Sequence, residues 1–100
     1  IIYLEDMEAL TEPQIYEYLT ELSWWRYEEG VLTTSYEFDN FLEAVSFVND
    51  LVPVCEELEH HPDIEIQYNE VTLKLSTHDL GGVVSTKDVE LAVSIEELVV

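Results

Sequence analysis

The sequence has very few basic side chains. Lys74, Lys87 and Arg26 are its only fixed cations, against 23 Asp and Glu residues, and the formal net charge is −20. Because phosphate recognition requires clustered Lys and Arg, this composition argues against a nucleic-acid partner. The acidic residues run through the whole chain instead of forming one patch, which is typical of a surface adapted to high salt. We therefore expect a halophilic protein.

Long apolar runs and paired cysteines are also missing. No run approaches the roughly 20 apolar residues of a membrane-spanning helix, and no N-terminal signal pattern occurs. We expect a cytoplasmic protein with no membrane partner. The single cysteine, Cys55, has no second cysteine to pair with and falls in an apolar helical pattern, which predicts a buried structural thiol.

One hundred residues with 47% hydrophobic side chains suffice for one core, so residues 1–100 are interpreted as a single domain. Ile2, Tyr3 and Leu4 give no clear secondary structure. A first helix is predicted from Thr11, whose capping box is completed by Gln14. Its apolar stripe contains Ile15, Tyr18, Leu19 and Leu22.

Two segments around Glu29-Gly30 are predicted to form a hairpin, from Trp24 to Glu28 and from Val31 to Phe38. Trp24 and Trp25 are interpreted as core and hairpin packing. A second hairpin is predicted from the alternation in residues 64–75. The predicted fold is α+β: a four-stranded antiparallel sheet from two hairpins with three helices on one face, in the order α-β-β-α-β-β-α.

The longest helix is predicted to begin after Asp39 or Asn40 and to end at His60 or His61, because Pro62 disfavours helical geometry in the residue before it. Pro53 predicts a kink within it. Its buried face is predicted to contain Phe41, Ala44, Val45, Val48, Leu51, Val52, Cys55 and Leu58. A last helix is predicted after a Ser85 cap with Asp88 in the capping-box position, and its inner side contains Val89, Leu91, Ala92, Val93 and Ile95.

All three histidines, His60, His61 and His78, lie within one short stretch that begins at Glu56, and carboxylates flank each group. Imidazole transfers protons near neutrality because its ordinary pKa is about 6.5. A lone histidine is more often structural than catalytic, but three in one segment indicate proton-transfer chemistry. Asp88 is interpreted as a helix cap and not as a catalyst.

These spacings carry a resemblance to a known family. The motif is Glu56-x-x-x-His60-His61-Pro62, an aromatic residue at Tyr68, His78 after nine further residues, and then Asp88. Outside it, the similarity extends to Trp24, Phe38-Asp39-x-Phe41, Thr77-His78-Asp79-x-Gly81-Gly82 and Asp88-x-x-Leu91-Ala92. Over roughly residues 15–98 the chain resembles the pterin-4a-carbinolamine dehydratases.

The resemblance implies a hydro-lyase that dehydrates 4a-hydroxytetrahydropterin to quinonoid dihydropterin in tetrahydropterin recycling, with the pterin as substrate and no cofactor or metal. It implies His60, His61 and His78 as catalytic residues and Glu56, Glu59, Ser76, Thr77 and Asp79 as substrate-binding residues. It also implies a homodimer or homotetramer, with a pterin-dependent hydroxylase as a possible partner. Which histidine is the acid stays open between His60 and His78.

Two other functions remain alternatives. Three histidines with carboxylates could bind zinc, although no HExxH or CxxC spacing is present. The chain could also be a non-enzymatic dimerisation or adaptor protein of the same fold. Intact histidines favour catalysis, because an adaptor would not need them.

Overall fold

The computed structural model describes residues 8–99. Ile2, Tyr3 and Leu4 lie outside the described residues. The helices and strands are α1 (Glu12–Leu19), β1 (Arg26–Glu28), β2 (Val31–Glu37), α2 (Phe41–Leu58), β3 (Asp63–Gln67), β4 (Glu70–Leu75), a 3₁₀ turn (His78–Leu80) and α3 (Thr86–Val99). The predicted order α-β-β-α-β-β-α is confirmed.

The four strands form one antiparallel sheet in the order β1-β2-β4-β3. Its centre is the pairing of β2 with β4, in which Leu32 lies opposite Leu75 and Tyr36 opposite Val71. These side chains are buried on the face that the helices cover. The opposite face carries polar residues, including a hydrogen bond of 2.9 Å between the hydroxyl groups of Ser35 and Thr72.

Helix α1 begins as its sequence predicts. The Thr11 hydroxyl accepts a hydrogen bond from the Gln14 backbone, and the Gln14 side chain accepts one from the Thr11 backbone. This reciprocal pair satisfies two donors that a helix start leaves unpaired. Ile15 and Leu22 are buried as predicted, although Leu22 follows the helix end, whereas Tyr18 is exposed.

The first hairpin turns at Glu29 and Gly30, which both have positive φ angles (53° and 80°). Its first strand begins at Arg26, two residues later than predicted. The reason is that the Trp24 carbonyl accepts from the Thr34 hydroxyl and the Trp25 amide donates to Leu22, so neither group joins the ladder. Trp25 is buried as predicted, but Trp24 is 58% exposed.

Helix α2 is capped by Asn40, whose side chain accepts from the Glu43 backbone at 2.9 Å. The helix continues through Pro53 for five more residues; the kink there stays a prediction. It ends at Leu58, so the prediction that it reaches His60 or His61 is wrong. Glu59 adopts left-handed geometry (φ 54°), and the His60 amide then donates to the Cys55 carbonyl in a Schellman motif.

The helix faces that form the core differ in part from the predicted ones. On α2, Ala44, Leu51 and Cys55 are buried, and so is Phe47, which the prediction omitted. Phe41 and Val52 were expected in the core but are about half exposed. On α3, Val89, Leu91, Ala92 and Ile95 are buried as predicted, whereas Val93 is 42% exposed. The fully buried Asp88 joins them.

Candidate active site

The end of helix α2 sets the position of two histidines. Glu59 adopts left-handed geometry and ends the helix, so His60 and His61 lie beyond the helix end and are not part of it. Such geometry in a residue with a Cβ costs of order 1–3 kcal/mol and often occurs at functional sites. Here it directs the chain from the helix end into β3.

The third histidine lies on the connection between β4 and α3. Thr77 bridges to Val83, with its amide donating to the Val83 carbonyl at 2.8 Å. This closes a tight loop that contains the 3₁₀ turn and two glycines with positive φ, Gly81 and Gly82. His78 is the first residue of the turn and is exposed.

All three histidines line one cavity of about 210 Å³. The complete lining is Glu59, His60, His61, Ser76, Thr77, His78 and Asp79. The structure thus brings together every residue that the sequence singled out for the site except Glu56, which lies outside the lining. Two chain segments separated by the second hairpin form this cavity, one from the end of α2 and one from the end of β4.

One of these histidines is held by a buried carboxylate. The His60 ring is 12% exposed, and its Nε2 lies 2.5 Å from Oδ1 of Asp88, which is fully buried. The other oxygen of Asp88 accepts from the Thr77 hydroxyl and from the Ser85 amide, both at 2.8 Å. The Thr77 and Ser85 hydroxyl groups are also 2.5 Å apart. Asp88 therefore joins the end of α2, the loop after β4 and the start of α3.

Asp88 has two structural roles, of which only the capping role is predicted by its position in the sequence. It caps α3 by accepting from the Ser85 amide, as its position predicts. Its contact with His60 was missed, because a carboxylate three residues after a serine already has an explanation as a cap. The signal that could have found it is its place in the same motif as the three histidines.

His61 has a different environment from its neighbour. Its Nε2 lies 2.6 Å from a carboxylate oxygen of Glu56, and both side chains are more than 60% exposed. Glu56 therefore contacts His61 and not His60, because the left-handed turn at Glu59 changes the path of the chain after the helix. An ion pair this exposed contributes little, about 0–1 kcal/mol.

The end of α2 has one further tie to α3. The Lys87 ammonium donates to the Leu58 carbonyl at 3.1 Å. A cation at the C-terminus of a helix satisfies a carbonyl that the helix leaves unpaired, and it interacts favourably with the helix dipole. Lys87 and Asp88 thus attach the start of α3 to the segment that carries His60.

Two other observations bear on the site's chemistry. Among residues 8–99, no three His, Cys, Asp or Glu side chains are grouped so that they could hold a metal ion. A larger groove, of about 400 Å³, lies between α1 and α3, and its lining combines Tyr18, Leu22, Val89 and Val93 with three glutamates. It contains no histidine, so the smaller cavity is the one whose lining includes imidazole groups.

Membrane insertion through a helix finds no support within the described part of the chain: none of its helices has the length and apolar character needed to cross a bilayer.

Known proteins include relatives of this chain that match it over nearly its whole length. The chain is 42% identical over 92 residues to a protein of Sulfurisphaera tokodaii that is provisionally named a pterin-4-alpha-carbinolamine dehydratase, covering 92% of this chain and 98% of the relative. It superposes on a transcriptional coactivator/pterin dehydratase from Brucella melitensis with a TM-score of 0.83 at 30% identity, covering 91% and 98% of the two chains.

A more distant structure shares the fold alone. It is a pterin dehydratase-like protein described as a RuBisCO assembly factor in the alpha-carboxysome, with a TM-score of 0.61 at 22% identity, and the match covers 74% of this chain and 87% of that one. The family model for pterin 4 alpha carbinolamine dehydratases matches residues 8–98. This chain therefore belongs to the pterin 4 alpha carbinolamine dehydratase family.

Proposed function

We propose that this protein dehydrates a 4a-hydroxytetrahydropterin to the quinonoid dihydropterin. The observation that carries the proposal is the cavity that all three histidines line, with one of them held by a buried carboxylate. Membership of the family supports it, and so do relatives that bear this activity in their names.

The reaction moves protons and breaks one bond. The C4a–OH bond breaks with its electron pair on oxygen, an acid supplies a proton to that oxygen, and water departs. A base takes the N5 proton, and the N5 electrons form the C4a=N5 double bond. No electrons are exchanged with an outside partner, so the step needs no redox cofactor, and we assign both proton transfers to side chains of the protein.

His60 is the best-positioned group for one of these proton transfers. With Asp88 accepting from Nε2, the Nδ1 atom of the ring stays available to the substrate. A buried carboxylate behind an imidazole fixes its tautomer and orientation and stabilises the imidazolium that forms during transfer. Asp88 is accordingly a positioning residue. We assign the second proton transfer to His78, which is exposed on the facing loop.

The remaining lining residues are proposed to bind the pterin ring. Its amino group and ring N–H are donors, and the carboxylates of Glu59 and Asp79 are acceptors. Ser76 would supply its hydroxyl group from the end of β4, whereas Thr77 would only form part of the wall, because its hydroxyl is bonded to Asp88 and Ser85. His61, which Glu56 orients from solvent, would contact the substrate at the mouth of the cavity.

We extend the proposal to the setting of the reaction. The substrate would come from a pterin-dependent hydroxylase, whose product carries the 4a-hydroxyl group, and the protein would serve tetrahydropterin recycling. A homodimer or homotetramer in the cytoplasm is the proposed form. Size-exclusion chromatography with light scattering would measure the number of subunits directly.

The decisive test measures carbinolamine dehydration in the variants His60→Ala and His78→Ala. A positioned acid or base contributes typically about 10²–10⁴-fold, so each variant should lose activity in that range. Glu65→Gln is a suitable control because Glu65 is exposed on the edge strand β3 and does not line the cavity. Unchanged rates in both histidine variants would show that the assignment is wrong.

The role of Asp88 needs a separate readout, since it also caps α3. In Asp88→Asn the side chain keeps its shape but no longer offers two acceptor oxygens. We expect the dehydration rate to approach that of His60→Ala, together with a changed pH profile and a changed ¹⁵N signature of the His60 tautomer. An altered melting temperature with an unaltered tautomer and pH profile would leave Asp88 with a structural role alone.

A non-enzymatic adaptor is the second candidate. The relative from Brucella melitensis is described both as a transcriptional coactivator and as a pterin dehydratase, which favours testing both activities. A folded double variant lacking His60 and His78 should still bind a protein partner if the chain is an adaptor. A zinc site would show as stoichiometric zinc in elemental analysis of protein purified without an affinity tag.

A further inference from the structure

The walls of the candidate cavity carry negative charge and no fixed positive charge. Glu59 and Asp79 line it, and Asp88 lies directly behind His60. Within residues 8–99, no lysine or arginine lines this cavity. A bound phosphate or carboxylate group would therefore have no permanent cation opposite it.

The chain has only three fixed cations, and none of them lines the cavity. Arg26 is bonded to Glu28 on the first hairpin at 3.0 Å. Lys74 lies opposite Asp63 in the pairing of β3 with β4. The Lys87 ammonium is bonded to the Leu58 carbonyl, two residues before His60. With a net charge of −20, the rest of the surface adds to the negative potential.

From this charge distribution we infer that the site discriminates, at low ionic strength, against pterins whose side chain carries a phosphate or carboxylate group. The inference rests on the proposed function and names its substrate class. Proteins that bind phosphate groups place Arg, Lys or a helix N-terminus against them. This cavity instead offers two carboxylates. The phosphate of a phosphorylated pterin would therefore lose its bound water without gaining a compensating contact with the protein.

The discrimination depends on ionic strength. A charged cleft changes the local concentration of a charged ligand by about 10- to 10³-fold in dilute salt. The Debye length is about 10 Å at 0.1 M and about 3 Å at 1 M, so salt screens most of this effect. The preference for the neutral substrate should therefore be at least about tenfold at low salt and should shrink as salt is added.

The experiment compares two substrates that differ in one group. One is the 4a-hydroxytetrahydropterin with a 6-hydroxymethyl side chain, and the other is its phosphate ester. The measured quantity is the ratio of their kcat/KM values on the same enzyme solution, from about 0.1 M to about 2 M KCl, a range that spans strong to weak screening. Because both substrates meet the same protein, the folded fraction cancels from the ratio.

Variants that neutralise single carboxylates test whether the preference for the neutral substrate arises in the cavity. Glu59→Gln and Asp79→Asn should each narrow the ratio several-fold at low salt, even where they also lower the rate with both substrates. Glu65→Gln removes the same charge from an exposed strand outside the cavity and should leave the ratio nearly unchanged.

The outcomes separate the two proposals. A ratio near one at every salt concentration, or a preference for the phosphate ester, overturns this inference and leaves the proposed function intact. Failure of the folded protein to dehydrate either substrate overturns the proposed function, and this inference with it. A salt-dependent ratio that the two variants narrow and the control does not is the expected result.

Discussion

The Nε2 atom of His60 lies 2.5 Å from the carboxylate of Asp88, 28 residues further along the chain, and the carboxylate has no contact with solvent. The adjacent His61 instead pairs with Glu56 in solvent. Two neighbouring histidines thus occupy opposite environments. The contact with Asp88 fixes the His60 ring against the fold, whereas the His61 ring is open to solvent.

This difference predicts unequal effects on stability. Asp88→Ala removes the acceptor of the His60 ring, the Thr77 hydroxyl and the Ser85 amide, and each buried donor left unsatisfied costs about 1–3 kcal/mol. Glu56→Ala breaks an exposed pair that contributes about 0–1 kcal/mol. Urea unfolding of both variants and of the unaltered protein measures the difference. Equal losses in the two variants would contradict the contrast in burial.

Lys87 is predicted to hold the end of α2 near the site. In Lys87→Met the Leu58 carbonyl loses its cationic partner, which should lower the free energy of unfolding by about 0.5–1.5 kcal/mol. Because this carbonyl lies two residues before His60, KM for the pterin should rise as well. Chemical denaturation and steady-state kinetics check the two effects.

Lys74→Met is the matched control for this variant. It removes the same charge from β4, where the Lys74 side chain is exposed and outside the cavity. We expect KM to stay close to that of the unaltered protein. A similar rise in KM in both lysine variants would assign the effect to net charge and not to the contact with Leu58.

Alkaline pH is predicted to destabilise the fold through two buried groups. Burial, and then the charge of Glu56, raise the pKa of the Cys55 thiol above its ordinary 9.0. Burial, and then the charge of Glu96, raise the pKa of Tyr36 above its ordinary 10.0. Below pH 9 both groups are protonated in the folded and unfolded states, and their contribution to stability is fully present.

As the pH rises past 9 and then 10, the unfolded chain loses these protons while the folded chain retains them, so the free energy of unfolding falls. Urea unfolding at about pH 8, 9, 10 and 11 measures how the free energy of unfolding changes with pH. These pH values span the ordinary pKa values of Cys and Tyr. Cys55 should also react slowly with a thiol reagent until the protein unfolds, because it is buried.

Tyr36→Phe provides the control for the pH series. The Tyr36 hydroxyl is buried and makes no hydrogen bond of good geometry within the described residues, although the side chains of Thr34 and Trp25 lie close to it. Replacing it should leave stability at neutral pH unchanged or raise it by up to about 1–3 kcal/mol, the cost of an unsatisfied buried group. The decline above pH 10 should become shallower. A large loss of stability at neutral pH would indicate a partner for this hydroxyl.

Salt is predicted to stabilise the fold. A net charge of −20 on 100 residues produces self-repulsion that screening relieves. The melting temperature by circular dichroism should therefore rise between about 50 mM and about 2 M KCl, as the Debye length falls below about 3 Å. A melting temperature that is no lower in dilute buffer would remove the interpretation of the surface as adapted to high salt.

The order of helices and strands followed from local chemistry. Capping residues such as Thr11 and Asn40 act on donors within one turn of themselves, and alternation along β4 needs only its own residues. The predicted element bounds and core faces are wrong where the outcome depends on residues far away in the sequence. Trp24 lies outside the strand predicted for it because its carbonyl accepts a hydrogen bond from the Thr34 hydroxyl and not from the backbone of the sheet. Phe41 and Val52 satisfy helical periodicity, yet each stays about half exposed among residues 8–99.

The sequence by itself determined the residue types of the site, their motif and the order of secondary structure, since these depend on side-chain chemistry and on contacts within a few residues. Only the tertiary structure decided that α2 ends before the histidines, that Asp88 bonds to His60, and that Glu56 bonds to His61. These contacts join residues whose separation in space is set by how α2, the loop after β4 and α3 pack together. No local pattern along the chain encodes that packing.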